Sequence, residues 1–160
     1  MQRVDIICFG KLKESFWRDA VAEYRKRLSQ YCKLTINEID EVLVSQNPSE
    51  KEVVQVLEAE AQMAKKYIRD KSFVIALCVE GKQMTSEELA DKVSDIAVNG
   101  YGDITFLIGS SYGLSEELKR KADFRLSFSE FTFPHQLMRV ILTEQIYRAY
   151  TINHGAKYHK

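Results

Sequence analysis

The sequence has few of the residues that mark fibrous or disulfide-rich proteins. Two prolines and seven glycines in 160 residues exclude collagen-like and low-complexity chains. The three cysteines are an odd number, and no Cys-x-x-Cys or His-x-Cys spacing occurs, so we predict neither a disulfide framework nor a metal site. Cys8 and Cys78 lie in apolar, strand-like runs, which favours buried free thiols in a reducing, cytoplasmic environment.

Long apolar segments are missing too. No run approaches the roughly 20 apolar residues that a membrane-spanning helix needs, and Asp5 and Lys11 interrupt what would be the apolar core of a signal peptide. We therefore expect no membrane segment. The composition, 45% hydrophobic and 29% charged, is that of an ordinary globular protein, and the length suits a single domain, residues 1–160.

Charge is balanced overall but uneven along the chain. The net charge is zero at pH 7, yet the first fifth is basic, the next segment is acidic and the C-terminal tail is basic again. Such asymmetry is compatible with a nucleic-acid-binding face, although solvated helix faces also explain it. The basic residues of the first fifth are Lys11, Lys13, Arg18, Arg25, Lys26, Arg27 and Lys33.

Hydrophobic periodicity predicts strands that alternate with helices. Short apolar or alternating runs predict five strands, at residues 4–9, 33–39, 73–79, 104–108 and 124–128. Helical spacing and start signals predict helices at residues 14–30, 48–69, 86–97, 115 onward and 134–152, with Ser86 as the N-cap of the third. This alternation predicts an α/β domain in which helices cover both faces of a mainly parallel sheet.

The last predicted helix is apolar nearly all round. A helix without a polar face must be covered on every side. In a domain of this size a subunit interface is a natural cover, so we expect a homodimer through this helix, with a central core helix as the alternative. Among its polar residues, Glu144 and Arg148 are spaced to form an i,i+4 ion pair.

The turn at residues 109–113 matches the G-x-S-x-G motif of serine hydrolases. Ser111 would be the nucleophile, and Asp123 and a later histidine follow in the required order. The chain is short for that fold and has no HGGG-like oxyanion segment, so a plain strand-to-helix turn is the other interpretation. No G-x-G-x-x-G or Walker A motif occurs, which argues against nicotinamide and P-loop nucleotides.

Three loops follow predicted strands, at residues 77–81, 109–113 and 128–134. In α/β sheets, ligands bind outside the carboxyl ends of the strands. The third loop combines phenylalanines with a series of backbone amides and carbonyls, which can hold a flat purine by apolar contact and main-chain hydrogen bonds. Ordinary core packing is the alternative for these phenylalanines.

Longer motifs carry a more specific signal. They are I-G-S-S-Y-G-L-S from Ile108, L-S-F-S-x-F-T-F-P-H-Q-L-M-R-V from Leu126, E-Q-I-Y-R-A-Y from Glu144, Y-H-K at the C-terminus, and F-G-K-L-K from Phe9. With these motifs the whole chain resembles the RlmH family, bacterial SPOUT-class methyltransferases of large-subunit ribosomal RNA.

That resemblance implies a C-terminal trefoil knot, a homodimer, and S-adenosylmethionine as methyl donor. The implied reaction is methylation of N3 of a pseudouridine in a stem-loop of 23S ribosomal RNA, and the neutral net charge favours the assembled ribosome over naked RNA as substrate. A serine hydrolase using Ser111 and a non-catalytic RNA-binding module are the alternatives. Carried over by position, the cofactor-binding residues are Leu77, Gly109, Phe128, Ser129, Glu130, Phe131, Thr132 and Phe133.

The resemblance also implies that the C-terminal tail carries catalytic groups. His159 is the candidate base, Tyr158 would stack on a flipped nucleobase, and Arg148 would bind a phosphate or a uracil-type carbonyl oxygen. We expect the tail to lie over the cofactor pocket of a partner subunit. Ser110 departs from the family pattern, because many relatives carry a glycine there, and its Cβ narrows the turn.

Overall fold

A computed structural model describes residues 1–160 as five strands and five helices in strict alternation. The strands are β1 (Arg3–Phe9), β2 (Lys33–Ile39), β3 (Phe73–Gln83), β4 (Asp103–Leu107) and β5 (Phe124–Ser127). The helices are α1 (Ser15–Leu28), α2 (Glu50–Lys65), α3 (Ser86–Val98), α4 (Glu116–Lys121) and α5 (His135–Asn153).

The five strands form one parallel sheet in the order β2-β1-β4-β3-β5. Because every strand runs in the same direction, the carboxyl ends of all five, and the loops that follow them, lie along one edge of the sheet. The predicted single-domain α/β architecture with a parallel sheet is confirmed.

Side chains of β1 alternate between two helical layers. Ile6 and Cys8 belong to a core shared with α1, α3 and α5, whereas Ile7 and Phe9 belong to a second core shared with α2 and α4. Helices therefore cover both faces of the sheet, as the alternating sequence pattern predicts. Strand β1 lies between β2 and β4 and is buried on both faces, which is why its sequence is apolar almost throughout.

Helix α5 packs against α1 and α3 and has no exposed residue between His135 and Ile152. Leu142 and Ile146 are fully buried in the core. Leu137, Val140 and Ile141 lie at i, i+3 and i+4 spacing and are only partly buried. The helix is thus a core helix that also keeps one apolar stripe available to a partner.

Strand β3 is longer than predicted, since it continues past Gly81 to Gln83. Its pairing with β5 shifts register between Leu77 and Lys82, which makes residues 78–81 a bulge. A Cβ at Gly81 would lie 2.8 Å from the backbone carbon of Arg125, so only glycine permits the approach that lets the strand resume. The glycine marks a bulge here, and the prediction that it ends the strand is wrong.

Two helix boundaries also differ from the prediction. Helix α3 is capped by Thr85 and not by Ser86: the Thr85 hydroxyl accepts from the Glu88 amide, and the Glu88 carboxylate accepts from the Thr85 amide. The Ser86 hydroxyl donates instead to Gln145 on α5 (2.8 Å). Helix α2 ends at Lys65, short of the predicted Arg69, and the chain turns before β3.

All three cysteines are free; Cys8 and Cys32 are buried and Cys78 is partly buried. Burial raises the pKa of the Cys8 thiol to about 11, which leaves it protonated and unreactive at neutral pH. None of the helices combines the length and apolar character needed to cross a bilayer.

The carboxylate of Asp5 is a charged group buried within the core. Asp5 lies on β1 with 1% of its surface exposed, and Arg69 Nε donates to its Oδ2 at 2.6 Å. The other carboxylate oxygen has no partner. Arg69 is therefore the only side chain that compensates this charge.

We expect Arg69→Met to lower the free energy of unfolding by about 1–3 kcal/mol, because it leaves a buried acceptor unsatisfied. Urea denaturation measures the loss. Lys121→Met is the control: it removes an exposed pair with Glu117, and surface pairs contribute only about 0–1 kcal/mol. Equal losses in the two variants would show that burial of Asp5 does not set the cost.

Candidate active site

A cleft of about 310 Å³ opens at the carboxyl edge of the sheet. Residues 77–81 of β3, with its bulge, and the loops after β4 and β5 form its walls, and α4 and α5 close it. Its lining is Leu77, Cys78, Val79, Glu80, Ile108, Gly109, Ser110, Tyr112, Gly113, Leu114, Lys119, Leu126, Ser127, Phe128, Ser129, Phe131, Thr132, Phe133, His135 and Met138. The three segments predicted from the sequence thus meet in one place, although residues 77–81, predicted as a loop, belong to β3 and its bulge.

The turn after β4 is compact because two glycines approach each other closely. A Cβ at Gly109 would lie 2.4 Å from the carbonyl carbon of Gly113, and Gly113 has a φ of +86°. The Gly113 amide donates to the Ser110 carbonyl at 2.9 Å, which closes the turn. Only glycine fits both positions without displacing the backbone.

A buried carboxyl group holds this turn from behind. The Ser110 hydroxyl donates to Glu60 Oε1 at 2.6 Å, and Glu60, on α2, is 2% exposed. Burial raises the pKa of the Glu60 carboxyl above its usual value, while the Ser110 hydrogen bond acts in the opposite direction. The Ser110 side chain therefore has a hydrogen-bond partner, which explains how this compact turn accommodates it.

The loop after β5 is braced by its own serines. The Ser127 hydroxyl donates to the Ser129 carbonyl (3.0 Å), and the Ser129 hydroxyl accepts from the Phe131 amide (3.0 Å). Phe131 is 77% exposed beside the cleft, an unusual setting for a large apolar side chain. The loop thus presents main-chain groups and an unfilled apolar surface to the cleft.

Two polar features complete the cleft. Lys119 Nζ pairs with Glu80 Oε1 at 2.5 Å, and this hydrogen bond lowers the pKa of the Glu80 carboxyl. His135 Nδ1, at the first residue of α5, is buried without a hydrogen-bond partner. A buried polar atom in a cleft wall is satisfied when a ligand brings the matching group.

Seven of the eight predicted cofactor-binding residues line the cleft. Glu130 is the exception, since it is not among the lining residues. Sequence reasoning did not single out Glu80, Lys119 or His135 as residues of this cleft; the β3 bulge and α4 bring Glu80 and Lys119 together. The sequence signal that could have identified Lys119 is its place among the basic residues in the last turn of α4. The seven predicted cofactor-binding residues that do line the cleft are Leu77, Gly109, Phe128, Ser129, Phe131, Thr132 and Phe133.

The three predicted catalytic residues, Arg148 on α5 and Tyr158 and His159 in the C-terminal tail, form a separate cluster. Arg148 donates to Glu144 Oε1 through Nε (3.0 Å) and Nη2 (2.6 Å), and the Tyr158 hydroxyl donates to the same oxygen at 3.0 Å. The guanidinium lies 4.7 Å from the centre of the Tyr158 ring. Burial raises the pKa of the Tyr158 phenol, so it is fully protonated at neutral pH.

Both ring nitrogens of His159 are engaged in this cluster. Arg148 Nη1 lies 3.1 Å from Nδ1, and Glu87 Oε1 lies 2.6 Å from Nε2. Since arginine only donates, Nδ1 accepts, and Nε2 carries the hydrogen that Glu87 receives. His159 therefore has no free lone pair with which to take a proton in this arrangement.

None of the tail residues lines the cleft of its own chain. The structure brings His159, Tyr158 and Arg148 together with each other but not with the predicted cofactor-binding residues. His154, expected at the surface, is exposed. Ser111 is exposed and has no hydrogen bond to a histidine, so the geometry of a serine hydrolase is absent.

Comparisons with known proteins point to one family. A family profile described as "Predicted SPOUT methyltransferase" matches residues 2–159. The chain belongs to this family. It is 51% identical to a protein of Bifidobacterium adolescentis, covering 99% of each chain, and 49% identical to one of Clostridioides difficile, covering 98% of this chain and 99% of the relative. Both relatives carry the name ribosomal RNA large subunit methyltransferase H.

The fold agrees with that membership. The structure of a probable methylase family protein from Haemophilus influenzae Rd KW20 superimposes with a TM-score of 0.56 at 15% identity, covering 99% of this chain and 71% of that one. The resemblance to the RlmH family is confirmed. The C-terminal trefoil knot that it implies stays a prediction.

SPOUT methyltransferases use S-adenosylmethionine as methyl donor. The cleft fits that molecule in kind, because its walls are mostly apolar, two of its loops offer main-chain groups, and His135 Nδ1 lacks a partner. We call these lining residues the cofactor cleft.

We expect Gly109→Ala to weaken S-adenosylmethionine binding by about tenfold or more, since the new Cβ forces the turn apart at a cost of about 1–3 kcal/mol. Isothermal titration calorimetry measures the dissociation constant. Gly102→Ala is the matched control, because a Cβ there meets nothing within 4 Å. Undiminished binding by a folded Gly109→Ala variant would contradict the role of this turn.

The raised pKa of Glu60 gives a pH-dependent prediction. A carboxyl group whose pKa is raised on folding contributes stability at acidic pH, and this contribution is lost as the pH rises through the folded-state pKa. Glu60→Gln does not titrate and keeps an acceptor for Ser110. We therefore expect the unfolding free energy of Glu60→Gln, relative to the wild type, to increase from pH 5 to pH 8.

Urea denaturation at both pH values measures this difference. Glu58→Gln, at an exposed position on the same helix, serves as the control and should show no such trend. A constant difference between the wild type and Glu60→Gln would mean that Glu60 does not titrate with an altered pKa.

Proposed function

We propose that this methyltransferase modifies N3 of a pseudouridine in a stem-loop of 23S ribosomal RNA, using S-adenosylmethionine, on the assembled ribosome. The observation that carries the proposal is the convergence of the β3 bulge and the loops after β4 and β5 on one cleft, in a chain about half identical to relatives named for large-subunit ribosomal RNA methylation. A cytoplasmic location is part of the same proposal.

The cofactor would be held by Leu77, Gly109 and the loop of Phe128, Ser129, Glu130, Phe131, Thr132 and Phe133. The close turn at Gly109 and the serine-braced loop support this assignment, because both are rigid before any ligand binds. Glu130 remains in the set although it lies outside the lining, since it is part of the same short loop.

The chemistry requires a nitrogen nucleophile and a place for its proton. When bound, S-adenosylmethionine supplies an electrophilic methyl group, so the N3–carbon bond forms as the sulfur–carbon bond breaks. The N3 proton must leave before or during this step, to a base or to solvent. Arg148 would stabilise the imide anion at a carbonyl oxygen, Tyr158 would stack on the base, and His159 is the candidate base.

A homodimer through α5 would bring these groups to a cleft. Its support is twofold: the stripe of Leu137, Val140 and Ile141 is only partly covered, and the tail lies outside the cleft of its own chain. In this arrangement each active site takes its cofactor cleft from one protomer and its tail from the other. To contact the substrate, His159 would then have to give up its hydrogen bond with Glu87 or with Arg148.

The two alternatives fit less well. A serine hydrolase would require Ser111 to contact a histidine, and it contacts none. A non-catalytic RNA-binding module would have no use for a preformed cleft with close-packed glycine turns. We therefore expect Ser111→Ala to retain methyl transfer.

Truncation after Ala156 tests the proposal that the cofactor cleft binds S-adenosylmethionine while the tail supplies catalytic groups. We expect S-adenosylmethionine binding to persist, because no tail residue lines the cofactor cleft. Methyl transfer to large ribosomal subunits should fall by about 100-fold or more, since acid–base and orientation groups are lost. Calorimetry measures the binding, and incorporation of tritiated methyl groups measures the transfer.

Ser111→Ala is the control, and the melting temperature of each variant shows whether loss of the Tyr147–Tyr158 contact unfolds α5. A truncated protein that still methylates subunits would remove the tail from the active site. Full-length protein that binds the cofactor but methylates no ribosomal particle would overturn the RNA substrate.

A further inference from the structure

A second cleft, of about 440 Å³, lies between α1, the end of β2 and α5. We call it the basic cleft, because four of its nine lining residues are cations and one is an anion. The cations are Lys11, Arg18, Arg25 and Arg139, and the anion is Glu38. A cavity with this excess of positive charge is suited to an anionic ligand.

Arg139 explains why the single carboxylate does not neutralise the cleft. Arg139 is 1% exposed, and its Nη1 donates to Glu38 Oε2 at 2.7 Å. Its Nη2 donates to the Gly10 carbonyl at 3.1 Å, and its buried Nε has no partner. The buried guanidinium thus offsets the charge of Glu38 and leaves the other three cations of the cleft uncompensated.

The turn after β1 is held in place by two arginines. Arg139 bonds the Gly10 carbonyl, and Arg18 Nη1 bonds the carbonyls of Leu12 (2.9 Å) and Lys13 (2.6 Å). Lys11 lies between these anchored residues. Its backbone is therefore fixed before a ligand arrives, which lowers the entropic cost of binding.

The uncompensated cations converge from two elements. Arg18 and Arg25 are seven residues apart on α1 and so lie on one face of the helix, with Val21 and Ala22 between them. Neither arginine nor Lys11 forms an ion pair with a carboxylate. Guanidinium and ammonium groups left free in this way bind phosphate oxygens by charge-assisted hydrogen bonds.

The position of the basic cleft relates it to the reaction. Gly10, Glu38 and the strand-end loops of the cofactor cleft all lie at the carboxyl edge of the same sheet. Helix α5 separates the two: His135 and Met138 line the cofactor cleft, and Arg139 lines the basic cleft. A nucleic-acid strand bound in one would therefore run beside the other.

We propose that the basic cleft binds a phosphodiester group of the RNA substrate. The inference rests on the proposed function for the identity of the RNA, but the anion site itself follows from the charges and the cavity. Phosphate contacts of this kind fix the position of a strand without reading its sequence. The cleft thereby positions the RNA chain while the target base enters the active site.

Lys11→Gln and Arg25→Gln test the proposal. We expect each to weaken binding of the protein to large ribosomal subunits about five- to tenfold and to reduce the dependence of log Kd on log salt concentration by about one unit. Filter binding across a sodium chloride series measures both. S-adenosylmethionine binding should not change, since neither residue lines the cofactor cleft.

Lys33→Gln is the control, because it removes one exposed positive charge at the opposite edge of the sheet, where β2 begins. Equal weakening by Lys33→Gln would overturn the site in favour of diffuse electrostatic attraction. Calorimetry with inorganic phosphate separates a second source of the ligand. Saturable phosphate binding that Lys11→Gln abolishes, with subunit binding unaffected, would overturn the RNA assignment.

Subunit binding is measured without methyl transfer, so the two proposals fail separately. Wild-type protein that binds subunits through Lys11 and Arg25 but never methylates them would contradict the proposed function and support the basic cleft. If the wild type and both variants bind and methylate subunits equally well, the result would support the proposed function and contradict the basic cleft.

Discussion

Parallel pairing of all five strands is the constraint on which both clefts depend. It places every strand-end loop at one edge of the sheet, so residues as far apart in sequence as Leu77 and Phe131 share a cavity. The glycines of this edge make the loops tight enough to meet. Gly81 lets β3 resume against β5 after its bulge, and Gly109 lets the turn after β4 fold onto Gly113.

Helix α5 is the second organising element, because it forms a wall of each cleft. Two of its polar residues line the clefts: His135 lines the cofactor cleft and Arg139 lines the basic cleft. A buried arginine is costly unless it is paired and hydrogen-bonded. Glu38 and the carbonyl of Gly10 meet that requirement, so the residue that stabilises the buried end of α5 also orders the turn that carries Lys11.

Hydrophobic periodicity predicts the alternation of strands and helices, because the spacing of apolar residues within each element follows the positions that it buries. The loops after β4 and β5 were predictable for the same reason, since each follows a strand, whereas residues 77–81 were predicted as a loop and belong to β3. The contact between Glu60 and Ser110 was not, because it joins residues 50 positions apart and no local pattern encodes it. The Thr85 cap and the Gly81 bulge were missed for a related reason, which is that contacts distant in sequence decide both: Ser86 bonds Gln145 on α5, and β3 pairs again with β5 beyond Gly81.

The tail separates cofactor binding from chemistry. Glu144 accepts from both Arg148 and Tyr158, and His159 is held between Arg148 and Glu87, so within one chain each polar group of the cluster already has a partner. The cluster therefore has no spare acceptor for a proton and no free cation for an oxyanion. The cofactor cleft needs no such rearrangement. In the proposed assignment, the single chain binds the methyl donor, whereas methyl transfer would require the tail to exchange its internal partners for the substrate.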